Sequence, residues 1–219
     1  MRRSMVRLAG LMLATALLGA ACAPQAAPTP GAVTTLLKDD FSQTTSGWDK
    51  YSGAEGQVGY DHGHYLIRVD QPQIYLWGTP GLSLADAVVE VDATDVAGPL
   101  NNEFGVLCRF AKDGDKSSFY FFAISSDGYY VSGKVVQNRL TDLDPADFKP
   151  SGAIHTGAAA SNHLAATCQG NHMTFAVNAT PLASFTDDEL KFGDVGLMAG
   201  TFDEAGVAIH FDHIEVKKP

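Results

Sequence analysis

Strict two-residue alternation of apolar and polar side chains constrains this 219-residue chain more than any other feature. In DAVVEVDATDV (86–96), Val89, Val91 and Ala93 fall on one side of an extended strand, and Glu90, Asp92 and Thr94 on the other. That is the period of a strand with one buried face. EFGVLCRF (103–110) groups Phe104, Val106, Cys108 and Phe110 against Glu103, Gly105, Leu107 and Arg109. HLAATC (163–168) groups Leu164, Ala166 and Cys168; HMTFAVN (172–178) groups Met173, Phe175 and Val177. HYLIRVD (64–70) and QIYLWG (73–78) flank a proline turn, and VGLMAGTF and GVAIHFDHIEV close the chain. In the last run the apolar parity shifts between Phe211 and Ile214, which predicts a bulge near Asp212-His213. Only DPADFKP (144–150) reads as a short helical turn, and no stretch has the period of a long amphipathic helix. About a dozen short strands punctuated by Gly, Asp, Asn and Pro predict an all-β protein, a two-sheet antiparallel sandwich or barrel.

The first residues read as an address, not as part of the fold. Arg2, Arg3 and Arg7 form a basic start, and an apolar run extends from Leu8 to about Leu18. Gly19, Ala20 and Ala21 then lead to Cys22. The apolar run is shorter than the roughly 20 residues that cross a bilayer, so the tract reads as a secretory signal over residues 1–21. It resembles a bacterial lipoprotein signal, in which Cys22 becomes the acylated N-terminus. Gly19 stands where Leu, Val or Ile is usual, with Leu18 one place earlier, which leaves ordinary cleavage after Ala21 open. The arginine pair also resembles a loose twin-arginine signal, so the export route stays open. Residues 22–35 are rich in Ala, Pro and Thr and read as a flexible tether, ahead of one domain over 36–219. The expected location is extracytoplasmic, lipid-anchored to the bacterial cell membrane.

The chain contains three cysteines. With Cys22 acylated, Cys108 and Cys168 remain as a pair for a disulfide in an oxidising compartment. Both lie on the apolar parity of their strands, and two free buried thiols are the alternative. Removing the leader takes away Arg2, Arg3 and Arg7, leaving 12 basic against 25 acidic residues, a formal charge of −13. Such a surface repels nucleic acid and anionic headgroups. No phosphate loop, dinucleotide fingerprint or nucleophile elbow occurs.

GNHMTFAVNATPLASFTD, GDVGLMAGTF and the terminal IHFDHIEV resemble the C-terminal half of concanavalin A-like jelly rolls, and DDFSQTTSGW (39–48) resembles their start. Asn178 is followed by Ala179 where that pattern usually has Gly. The likeness spans roughly residues 36–217 and includes laminin-G-like, lectin, glucanase and 3-keto-disaccharide hydrolase-like members. It implies a two-sheet jelly roll and leaves both binding and hydrolysis open.

Candidate site residues follow from strand parity. SSFYFFAISSDGYYVSGKV (117–135) reads as an aromatic hairpin turning at Ser125–Gly128, with one face in the core and the other lining a concave surface, where Tyr130 and Lys134 would meet a ligand. Glu103 and Arg109 share a parity and, with Trp77, complete the expected ligand-binding set. Glu90 and Asp92 are the candidate catalytic carboxylates. Their strand resembles the Glu-x-Asp-x-x-Glu run of laminarinase-type hydrolases, with Asp95 in place of the acid Glu, and a carboxylate pair about 5 Å apart suits a retaining mechanism. DHGH (61–64) reads as a hairpin turn, no zinc-type spacing appears, and KDGDK (112–116) and FDEAG (202–206) offer at most a structural calcium. No cofactor and no metal site are expected. The reading is a surface-anchored, non-catalytic binding module for a glycan or another envelope ligand. The alternatives are a glycoside or keto-sugar hydrolase using Glu90, Asp92 or Glu103, and a structural or protein-interaction domain of the envelope.

Overall fold

Runs rich in Val, Ile, Phe and Tyr with polar residues at every second position can bury one face only by stacking sheets, and the chain does so twice over. A computed structural model describes residues 34–144 and 147–219; the leader, Cys22 and most of the tether lie outside them. The strands are β1 (Thr35–Asp39), β2 (Tyr51–Gly53), β3 (Gly56–Asp61), β4 (His64–Val69), β5 (Tyr75–Gly78), β6 (Ala87–Ala97), β7 (Asn102–Asp113) and β8 (Lys116–Ile124). They continue as β9 (Tyr129–Val136), β10 (Arg139–Asp142), β11 (Lys149–Pro150), β12 (Ser161–Gln169), β13 (His172–Val177), β14 (Thr180–Thr186), β15 (Asp194–Thr201) and β16 (Val207–Lys217). There is no helix among the described residues. Of the helical turn expected over 144–150, residues 145 and 146 lie outside the described residues, and Lys149 and Pro150 pair with Tyr130 and Tyr129 as a short edge strand.

A nine-stranded antiparallel sheet runs β14-β13-β12-β6-β16-β4-β3-β2, with β1 also on β16. A seven-stranded antiparallel sheet runs β10-β9-β8-β7-β15-β5, with β11 on β9. Their facing sides form one core. Val89, Val91, Ala93, Leu164, Ala166, Met173, Phe175, Ile209 and Phe211 come from the larger sheet; Phe104, Val106, Tyr120, Phe122, Ile124 and Leu197 come from the smaller. Each fully buried large side chain contributes roughly 1.5–3 kcal/mol of transfer free energy. The alternation read from β6, β12 and β13 is the alternation observed.

Two irregularities bend this pattern. The register of β16 on β6 shifts between Asp212 and Glu215, with His213 at φ +50°, which is the bulge that the parity change predicted. A second bulge interrupts β7 against β8 between Cys108 and Ala111, with Arg109 at φ +54°. The Asn178-Ala179 turn, which joins Val177 to its partner Thr180, holds both residues at positive φ, +50° and +64°. This hairpin geometry favours Asn-Gly, so Ala179 is held against its intrinsic preference by the pairing on either side.

Cys108 of β7 and Cys168 of β12 form a disulfide with Cα atoms 6.6 Å apart and a sequence separation of 60. It joins the two sheets through the core. In the chain-entropy model a loop of that length contributes about 4 kcal/mol. Replacing both cysteines with alanine is expected to lower the unfolding free energy by about 2–5 kcal/mol in denaturant titrations, and a reducing agent should act on the native protein in the same direction.

Candidate binding cleft on the seven-stranded sheet

Strand alternation gives the smaller sheet a second face, and that face is also apolar. Leu107, Phe119, Phe121, Ala123, Val131 and Met198 are buried there as a cluster separate from the main core, with Trp77, Phe110, Val135 and Phe148 packed against them. Trp77 lies 5.9 Å from Phe119, which stacks on Phe110 at 5.8 Å; Phe148 meets Phe202 edge-on at 5.7 Å. These side chains do not close over completely. They leave a cleft of about 290 Å³, which Tyr75, Glu103, Ser117, Asn138, Leu140 and Asp142 also line.

Cross-strand register builds the polar end of the cleft. Gly200 of β15 pairs with Glu103 of β7 on one side and with Tyr75 of β5 on the other. A Cβ on Gly200 would stand 2.3 Å from the Tyr75 ring, so the glycine lets the phenol lie across β15. Its hydroxyl then donates to Glu103 Oε2 at 2.8 Å. Glu103 is only 4% exposed. Burial pushes its carboxyl up to about 7 despite the Tyr75 hydrogen bond, and the charge of Asp142 adds to the rise. Burial first, and then Asp147, also raises Asp142. Burial and Glu103 together raise the Tyr75 phenol.

The sequence-predicted residues divide between this cleft and other places. Glu103 and Trp77 line it. Tyr130 and Lys134 do not, which corrects the face assigned to them. They pair with Ile124 and Tyr120, both core residues, and so point to the inner side of the sheet. Lys134 ends at the sandwich edge in ion pairs with Asp187 and Glu189, the latter at 2.8 Å. Burial alone would lower its pKa, but these two carboxylates hold it up at about 12. The Tyr120 hydroxyl donates to the same Asp187 at 2.5 Å.

Arg109 is also not in the cleft. The bulge takes it off the parity of Glu103 and sends Phe110, expected in the core, to the outer cluster. The guanidinium, 3% exposed, donates to the carbonyls of Ala85, Leu190 and Gly170 at 2.7–2.8 Å, with Asp86 at 3.4 Å. It ties three connecting segments together and is not among the residues that line the cleft. Glu90 and Asp92 lie on the outer side of the nine-stranded sheet, away from the cleft. Glu90 pairs with Lys217, and Asp92 with His163 at 2.8 Å and His213 at 3.6 Å. Asp95, on the opposite parity, is buried and accepts from Asn102 at 3.1 Å. No group of three or more His, Cys, Asp or Glu among the described residues is placed to hold a metal ion.

Tyr75, Phe119, Phe121, Phe148, Phe202, Met198 and Asp142 were missed from the sequence. For Tyr75 a signal existed: it stands two residues before Trp77 in QIYLWG and so shares its face. For Phe119 and Phe121 none did, because both parities of β8 are aromatic.

The elevated Glu103 pKa makes stability depend on pH. In the unfolded chain the carboxyl ionises near 4.5, in the fold near 7. The stabilisation is therefore complete below about pH 4.5 and is lost as pH rises through 7, an effect of about 3 kcal/mol. Denaturant titrations from about pH 5 to about pH 8 should show the wild type losing stability relative to Glu103→Gln, with the gap growing by about that amount.

No family model matches the chain, and no curated protein is similar to it in sequence. Solved structures are similar in fold. A carbohydrate-binding module from Bacillus subtilis, CBM66, superposes with a TM-score of 0.56 at 15% identity, over 79% of this chain and 96% of its own. A Bacillus licheniformis beta-glucanase gives 0.63 at 11% identity, over 85% and 99%. The catalytic domain of an endo-1,3-beta-glucanase (laminarinase) from Thermotoga petrophila gives 0.59 at 9% identity, over 85% and 98%. With the two antiparallel sheets and their strand order, these likenesses show the fold of the domain, a two-sheet antiparallel jelly-roll sandwich.

Proposed function

We propose that the protein is a non-catalytic binding module that holds a small ligand in the cleft of its seven-stranded sheet, at the outer side of a bacterial membrane to which Cys22 anchors it. One observation carries the reading: the outer face of this sheet is an open, mostly apolar cleft with a single fully buried carboxyl, Glu103, already engaged by Tyr75. A preformed concave apolar site with few convergent polar groups is the usual form of a small-molecule site. The carbohydrate-binding and glucanase neighbours support a glycan or glycan-related ligand by analogy of fold, and an envelope ligand of another kind fits the same cleft.

A second reading has its own support. Glu103 and Asp142 line the same cleft, and a carboxyl whose pKa stands near 7 suits a general acid. The two readings separate in one assay. An oligosaccharide panel is incubated with the protein while binding is followed by calorimetry and products by chromatography. The module reading expects saturable binding without product, lost in Val131→Arg, which fills the cleft floor. Product formation abolished by both Glu103→Gln and Asp142→Asn would establish hydrolysis instead.

The anchor is tested separately. Cys22→Ser is expected to move the protein from the membrane fraction to the soluble exported fraction, and an unchanged membrane fraction would remove lipidation from the proposal.

A further inference from the structure

The cleft discriminates among ligand classes by what it lacks. Six aromatic side chains line it: Tyr75, Trp77, Phe119, Phe121, Phe148 and Phe202. Its charged groups among the described residues are Glu103 and Asp142; no basic side chain lines it. Its neutral hydrogen-bonding groups are largely committed. Asn138 accepts from the Ser117 amide at 2.7 Å and donates to the Asp115 carbonyl at 3.1 Å, and the Tyr75 hydroxyl donates to Glu103. What remains for a ligand is mostly aromatic surface and carboxylate oxygen, with the Ser117 hydroxyl and the Trp77 indole N–H as the neutral groups that have no partner among the described residues.

A sugar suits this poorly. Each hydroxyl buried without a partner costs about 1–3 kcal/mol, and the cleft has few uncommitted donors or acceptors to offer. An anionic amphiphile would meet two carboxyls and no cation. A cation without N–H groups avoids both penalties. A quaternary ammonium needs no hydrogen bonds, is attracted to ring faces and is attracted to carboxylates. The volume, about 290 Å³, sits at the small end of ligand pockets, so the body attached to the cation is short. The acidic excess of the whole chain, 25 against 15 basic residues, works in the same direction.

We propose that the cleft binds an alkylated or quaternary ammonium group carried on a short apolar body, with Glu103 and Asp142 as its counter-charges and the aromatic side chains as its walls. This names the ligand class for the binding-module reading and rests on it. Glu103 is faced by Tyr75 from β5 and by Asp142 from β10, with Asp147 acting on Asp142. Among the described residues no basic side chain lines the cleft to stabilise its ionised form. A bound cation would, so binding releases a proton from Glu103 and strengthens as pH rises through 7.

The chain has two tryptophans, Trp48 in the core and Trp77 in the cleft, so fluorescence reports the site. The probe is hexyltrimethylammonium, titrated in parallel with hexyl sulfate, hexanol and a panel of β-glucan oligosaccharides. The expected result is a tryptophan response to the cation that is absent in Trp77→Phe, with affinity at least about tenfold above that for hexyl sulfate or hexanol. Affinity should rise several-fold from about pH 6 to about pH 8 and lose that slope, with about a tenfold weakening, in Glu103→Gln. Leu140→Lys places a positive charge at the cleft rim on a side chain 63% exposed, where it does not burden the fold, and should weaken the same probe about tenfold. Equal binding of all three hexyl compounds, or tighter binding of hexyl sulfate, overturns the proposal. Oligosaccharide binding without cation binding overturns the ligand class and leaves the binding-module reading standing. No binding by any probe removes both.

Discussion

The rest of the structure depends on the burial of alternate side chains between two sheets. Once Val89, Val91 and Ala93 of β6 face Phe104, Val106 and Cys108 of β7 across the interior, every other residue of those strands must point outward. On the larger sheet the outward set is polar and paired, with Glu90 on Lys217 and Asp92 on His163. On the smaller sheet it is Leu107, Phe119, Phe121, Val131 and Met198, a second apolar surface that water would otherwise wet. A sheet greasy on both sides is uncommon in a sandwich with one solvated face, and here the second face folds into the cleft.

Two local departures, one from regular pairing and one from carrying a side chain, decide what that cleft contains. The β7 bulge turns Arg109 away and engages its guanidinium in four hydrogen bonds to carbonyls and a carboxylate of neighbouring segments, so this buried guanidinium is structural. Had the strand run straight, Arg109 would have shared a face with Glu103, six residues along the same strand. Burial, with the charge of Asp142 added, holds the Glu103 carboxyl up at about 7, and no basic side chain among the described residues lines the cleft beside it. Gly200 is the second departure. Its missing side chain opens the path by which Tyr75 crosses β15 to reach Glu103.

Polar residues misled on the aromatic hairpin for a physical reason. Tyr130 and Lys134 read as the wet side of β9 because their tips are polar. At the margin of a sandwich, however, an inward side chain can still reach a partner, and Lys134 extends past the core to Asp187 and Glu189. The outer side of the same strand, with Val131, Gly133 and Val135, looks more like core than the core side does. Polarity alone therefore could not orient a strand whose two neighbouring faces are both occupied by rings.

The sequence by itself determined the all-β class of fold, the parity of β6, β12 and β13 and the bulge near His213, and it pointed to a Cys108–Cys168 pair that the structure then showed. All of these follow from side-chain period and cysteine count, which are local properties of strands. It also singled out Glu103 and Trp77, because each sits at a legible parity on an unbroken stretch. Only the tertiary structure decided that Arg109 leaves the face of Glu103, that Phe119 and Phe121 line a cleft, and that Phe148 and Phe202 come from distant loops to wall it. Those outcomes depend on which strand lies beside which and on one extra residue in β7, and nothing in the local pattern encodes cross-strand register.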